Sequence, residues 1–333
     1  MNTEHPKLKK NAKRVLVVAF VLAVVAVPGL LLTMVGANAA MTCGTFAAVC
    51  ALIATFAMEW RAGILATLLL AVTCGLIMLF EPIALLCAIV LAALAFLIGY
   101  SSKRGMSANL IMVVISAGFI VVQPPTMHDS KFVNAVLVML VIIIAGVWAT
   151  AITWFFARNI SHKGHEHLHT SRAVAYGVML AVLVGVATWI SVKYALGHAG
   201  GWFILTVAIV LQPYLQEAMR KTVHRSVGTI LGFGIAFIIG IFVTEPFFLY
   251  LAGTVCLFFA ISFFTDPKRP YWLYVMFLTP TIVVFESAGG SITGLARERL
   301  FATLGGVAIA LIAEAIMIPV YRRAAHKHHL DHY

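Results

Sequence analysis

Apolar residues in this chain neither alternate as in a half-buried strand nor keep to one face of a helix. They run on in blocks of about twenty residues, the length a helix needs to cross a bilayer, with polar residues confined to short intervals between the blocks. A lipid-facing backbone has no water to bond, so such blocks must be helical. Twelve are predicted, at 14–35, 37–58, 62–80, 82–100, 107–125, 133–157, 173–196, 199–219, 226–243, 246–265, 271–286 and 299–320. The brief connectors at 36, 81 and 245 predict tight helical hairpins. The pattern predicts an all-α polytopic membrane protein with about twelve transmembrane helices.

Composition agrees with the pattern. Hydrophobic residues make up 62% of the 333, charged residues 11%, and the mean hydropathy is +1.02. A soluble globular domain is excluded. The net charge of +11 would suggest nucleic acid in a soluble chain, but its placement says otherwise. With the N-terminus in the cytoplasm, all but Lys131, Lys193, Arg297 and Arg299 of the 23 Lys and Arg fall on cytoplasmic segments. That bias predicts both termini cytoplasmic and removes nucleic acid as a partner. The five cysteines fall singly inside predicted spans, where they behave as small hydrophobes, and neither disulfides nor a metal cluster are expected. Ala37-Asn38-Ala39 imitates a signal-peptidase site after a basic start. The Val15–Val35 run is longer than a signal core, so this segment is read as the first span.

Sliding the chain on itself by 164 positions places Gly36 on Gly200, Thr42 on Thr206, Arg61 on Arg225, Ile77 on Ile241 and Glu81-Pro82 on Glu245-Pro246. This predicts two parallel six-helix repeats, residues 1–157 and 173–323, joined by a His-rich cytoplasmic loop at 158–172 and followed by a His-rich tail at 324–333. An even number of helices per repeat gives both halves one orientation about an axis along the membrane normal, with a pathway at their interface. A homodimer is expected to supply further walls.

A second signature lies at Trp202, Leu205-Thr206, Gln212-Pro213 and Arg225-x-x-Gly228-Thr229-x-x-Gly232, with a weaker echo at Arg299-Leu-Phe-Ala-Thr303-Leu-Gly305-Gly306. This order of parts resembles the fusaric acid resistance or aromatic acid exporter family. The resemblance implies an efflux transporter of the bacterial inner membrane for small organic, aromatic carboxylic acids. It also implies a periplasmic adaptor and an outer-membrane channel as partners. Members of that family are often about twice as long and carry cytoplasmic domains, which do not fit here, so a short form is expected.

Several residues could carry transport. Glu314 ends a row of small residues, Ala302, Gly306 and Ala310, each four apart. Small residues at that spacing let helices approach closely, which turns the carboxylate into the bundle. An acid within a span costs roughly 2.5–3.5 kcal/mol on insertion scales and so needs a partner, water or a proton. Pairing with Arg322 or Arg323 is the structural alternative. Gln212-Pro213 interrupts the eighth span, where proline frees a carbonyl and glutamine offers donor and acceptor together. The competing reading is a kink. Arg225 is placed at the cytoplasmic mouth, to attract anions or merely to anchor the helix. Gly228, Gly232, Ala236 and Gly240 form a packing seam in the ninth span. Glu286 could belong to an exit path, although solvated acids at helix ends are common.

The histidines cluster as His162, His165, His167 and His169 in the loop and as His326, His328, His329 and His332 in the tail. Imidazoles at that density bind divalent metals weakly, which keeps a metal exporter open, as does a non-transporting membrane scaffold. No GxxxxGK[ST] or GxSxG occurs, which argues against ATP use and a serine-based membrane enzyme. No cofactor is expected.

Overall fold

The computed structural model describes residues 6–158, 167–211, 215–243, 245–264, 268–286 and 292–327. These residues form twelve α-helices and two 3-10 turns: α1 (Pro6–Met34), α2 (Met41–Met58), α3 (Trp60–Phe80), α4 (Ala84–Tyr100), α5 (Ser107–Val122), α6 (Lys131–Ala157), α7 (Thr170–Lys193), α8 (Gly197–Val210), α9 (Leu215–Phe242), α10 (Pro246–Phe264), α11 (Tyr271–Glu286) and α12 (Ile292–Lys327). No strand occurs among the described residues. Six stretches are long and apolar enough to cross a membrane, in α2, α3, α4, α6, α7 and α9, and five further apolar helices are shorter.

Three expectations about boundaries need correction. Residues 199–219 are not one span, because α8 ends at Val210 and α9 begins at Leu215. The basic run at 220–225, left between the expected spans 199–219 and 226–243, is helical within α9. Arg, Lys and Glu are good helix formers, and hydropathy alone mistakes a charged helical segment for a connector. The last helix likewise extends past the expected 299–320 on both sides, to Ile292 and Lys327.

The helices divide into two compact units. The larger holds residues 24–219 and 305–333. Its helices touch through small residues. At the α4–α7 crossing, a Cβ on Gly99 would lie 2.6 Å from the Gly177 Cα, and one on Gly177 would lie 3.1 Å from the Phe96 carbonyl oxygen. Backbone therefore meets backbone, an approach that side chains would prevent. Around α5 and α8, the Phe119 ring meets Trp202 edge-on at 4.8 Å and stacks on Phe46 at 5.4 Å. Gly306 of α12 sits against α8, where a Cβ would fall 2.9 Å from Thr206 Cβ and 3.3 Å from the Phe203 carbonyl oxygen.

The smaller unit holds residues 1–23 and 220–304. Here α9 lies on α11 through its glycines. A Cβ on Gly228 would be 2.6 Å from the Trp272 carbonyl oxygen, and one on Gly232 equally close to that of Met276. Further along, Ala236, Val283 and Ala296 close a buried apolar cluster that joins α9, α11 and α12, with Phe233 and Leu295 packed on it.

A buried dibasic centre

The smaller unit carries a polar centre inside this apolar framework. Thr222, Arg225 and Thr229 recur at intervals of three and four along α9 and so share one face. All three are buried, with Arg225 only 2% exposed. Glycines at 228 and 232 draw α11 close, which brings Tyr271 into reach. The Arg225 guanidinium donates from Nη1 to the Tyr271 hydroxyl at 3.4 Å. Arg299 comes from α12 and is also 2% exposed, the largest fully buried side chain among the described residues. Arg225 and Arg299 both lie within electrostatic range of Tyr274, whose ring neighbours that of Tyr271.

An aromatic wall continues from it. Tyr274 lies 5.7 Å from Tyr271 and 5.0 Å from Phe264, centre to centre, and Phe277 packs on Phe259 and Phe263 at 5.2 and 5.6 Å. The hydroxyl oxygens of Thr222 and Thr229 are buried with no hydrogen-bond partner. Guanidinium and phenol donors match a carboxylate, hydroxyls can complete its shell, and aromatic faces suit a flat apolar body. A cation inside a span is costly and marks a substrate or ion pathway by default.

The expected site residues do not gather in one place. Arg225 belongs to this centre and lies inside α9. Arg299 had been counted among the four charges of the opposite side; its burial removes it from any loop tally. Gly228, Gly232 and Ala236 pack as described, and Gly240 is half-buried. In the larger unit Gly306 meets α8 and Ala310 is fully buried. Glu314 falls on α12 with its side chain outside the described residues, as does that of Glu286 on α11. Gln212 and Pro213 lie outside them entirely. Just before that pair, the Leu211 carbonyl accepts a hydrogen bond from the Tyr176 hydroxyl at 3.3 Å.

Of the histidines, His162 and His165 lie outside the described residues. His167 Nδ1 lies 3.1 Å from the Lys103 carbonyl oxygen, and His169 Nδ1 lies 3.0 Å from Ser171 Oγ. Among the described residues no group of three or more His, Cys, Asp or Glu is placed to hold a metal.

Sequence reasoning missed Arg299, Tyr271, Tyr274 and Thr222 as members of a site. The pointer to Arg299 was the echo itself, since Arg225 and Thr229 of α9 repeat as Arg299 and Thr303 of α12, both pairs buried.

Fold and centre together define a multi-pass helical membrane protein with paired buried cations, consistent with a transporter. Residues 189–313 match the family model described as Fusaric acid resistance protein-like. The match runs from the end of α7 into α12 and contains every residue of the dibasic centre. No individually curated protein and no solved structure shows a significant match to the chain.

Proposed function

We propose that the protein is an inner-membrane exporter of small organic acids, aromatic carboxylates above all, driven by the proton-motive force. The observation that carries this reading is the pair of buried guanidinium groups, Arg225 and Arg299, beside Tyr271 and Tyr274. Two cations brought from separate helices into an apolar unit are a natural seat for an organic anion, and the phenyl rings of α10 and α11 are a seat for its ring. The family description at 189–313 supports efflux of a compound of that kind, fusaric acid being itself an aromatic acid.

In this scheme Arg225 and Arg299 bind the carboxylate, Glu314 carries the coupling proton, and Gln212-Pro213 is a second polar contact along the path. A periplasmic adaptor and an outer-membrane channel would carry the substrate onward. The two-repeat architecture remains part of the reading. Advanced by 164 positions, α5 (Ser107–Val122) reproduces the bounds of α11 (Tyr271–Glu286), and α4 falls inside α10.

The test is efflux of a panel of aromatic acids from cells carrying wild type, Arg299→Gln, Arg225→Gln or an empty vector. Wild type should export at least one acid, and each variant should lose about tenfold or more in rate at equal membrane abundance. Undiminished export by both variants would sink the anion-site reading.

A further inference from the structure

Far along the chain from the dibasic centre, in the larger unit, the ends of α2, α3 and α6 meet in a cleft of about 260 Å³. It is lined by Thr55, Glu59, Trp60, Trp154, Ala157 and Arg158. All three helices are long and apolar enough to cross a membrane, so the point where they end together is the depth at which hydrocarbon gives way to lipid headgroups. The tryptophans fit that depth, being 44% and 46% exposed, as amphipathic rings at the interface are. Phe56, Phe155 and Phe156 around them are exposed too, presenting apolar surface to acyl chains.

The charged residues of the cleft are placed at some cost. Glu59 is the single residue between α2 and α3, with φ 131° and ψ 170°. That region is open almost to glycine alone and is tolerated elsewhere only where the surroundings impose it. The Glu59 N–H donates to the Thr55 carbonyl, and its own carbonyl accepts from the Ala62 N–H, both at 3.1 Å. The carboxylate is thus carried by a residue whose backbone would be easier for glycine. Arg158, at the end of α6, has its guanidinium 5.7 Å from the centre of the Phe155 ring. Opposite charges line one cleft, yet no ion pair joins them among the described residues. One lining residue adds a polar group: the Thr55 hydroxyl oxygen is buried with no hydrogen-bond partner.

We propose that this cleft binds the headgroup of a zwitterionic aminophospholipid, with phosphatidylethanolamine chemistry. The phosphate pairs with Arg158, the ammonium donates to Glu59, Trp60 and Trp154 flank the headgroup, and the acyl chains lie along the exposed phenylalanines. Arg158 alone would accept any anionic lipid. Glu59 sets the preference, since it repels a headgroup that has only negative charge and gains no N–H donor from a choline. The proposal is independent of the transported substrate.

The experiment is native mass spectrometry of the full-length protein released from micelles holding equimolar phosphatidylethanolamine, phosphatidylglycerol and phosphatidylcholine. Wild type should retain phosphatidylethanolamine at least fivefold over either competitor. Arg158→Gln should lose retention of all three, and Glu59→Gln should lose the preference over phosphatidylcholine. Should Glu59→Gln fold poorly, Glu59→Gly relieves the backbone while removing the carboxylate, and it should be as heat-stable as wild type and equally unselective. Equal retention of the three lipids by wild type would overturn the proposal, as would selectivity that survives both Glu59 substitutions. Binding of water-soluble O-phosphoethanolamine as tight as that of the lipid would also overturn it, by assigning the cleft to a soluble zwitterion.

Discussion

Arg225 and Tyr271 stand 46 residues apart in sequence, yet the guanidinium of the first donates to the hydroxyl of the second across the α9–α11 crossing. The contact depends on the glycines beside Arg225, since at Gly228 a Cβ would lie 2.6 Å from the Trp272 carbonyl oxygen. Packing seam and polar centre are therefore one construction, with the small residues setting the distance at which the polar ones meet.

Tyr271→Phe separates the phenol from the ring. It keeps the aromatic contact with Tyr274 and removes the acceptor that faces Arg225. Hydrogen bonds to charged groups contribute about 1.5–3 kcal/mol, and at 3.4 Å this one belongs at the low end. The expected result is an apparent KM for the exported acid raised about tenfold, with maximal rate and membrane abundance near wild type. Initial efflux rates across a concentration series measure it; an unchanged KM would place Tyr271 outside the substrate's path.

The seam makes a second prediction with its own control. Gly232→Leu must push against the Met276 carbonyl oxygen and the Thr279 side chain, each 2.6 Å from where its Cβ would lie. Overpacking of this kind costs about 1–3 kcal/mol. Gly234, two residues on, has nothing within 4 Å of its added Cβ, so Gly234→Leu should leave stability near wild type. Thermal unfolding in detergent, followed by fluorescence-detected chromatography, should show a clear drop for Gly232→Leu alone. Equal drops would mean that α9 does not rest on α11 along this row.

How far this site was legible in the sequence depends on the residue. Runs of apolar residues mark a membrane helix reliably, because length and hydropathy are the whole of the physical requirement. The same criterion failed between Leu215 and Ser226, where a charged segment stays helical. Arg225 was visible through its motif. Arg299 was counted among the loop charges because counting basic residues assumes they lie outside the membrane, although its echo of the Arg225 motif pointed the other way. Tyr271 and Tyr274 carry no local signal at all, and only the α9–α11 crossing brings them to the arginines. Glu59 was hidden for another reason: a strained φ belongs to the backbone, and sequence records only that the residue is not glycine.

A third prediction concerns the segment between α5 and α6. Asn134 is buried at the start of α6; its Oδ1 accepts from the Met127 N–H at 2.8 Å and its Nδ2 donates to the Pro125 carbonyl at 2.9 Å. One side chain thus ties down a proline-containing connection. Asn134→Leu leaves the buried Pro125 carbonyl unpaired, at about 1–3 kcal/mol, and frees the half-buried Met127 N–H. Limited proteolysis should then cut within 123–130 markedly faster than in wild type. Unchanged cleavage would show that other contacts hold the segment.

The coupling proton is the last point to test, and Glu314 is where the proposed mechanism puts it. A carboxyl within a span is disfavoured in its charged form, so it can take a proton on one side and release it on the other only if its surroundings change during the cycle. Glu314→Gln keeps the size and hydrogen bonding of the protonated acid and abolishes the exchange. The expected outcome separates binding from work. Purified Glu314→Gln should still bind the exported acid within about threefold of wild-type affinity, because the arginines are untouched. In proteoliposomes it should equilibrate that acid without concentrating it against a gradient, whereas wild type concentrates it when a pH difference is imposed. If Glu314→Gln concentrates the acid as wild type does, the proton moves by another group. If it loses binding as well, Glu314 supports the structure of the site and not the coupling.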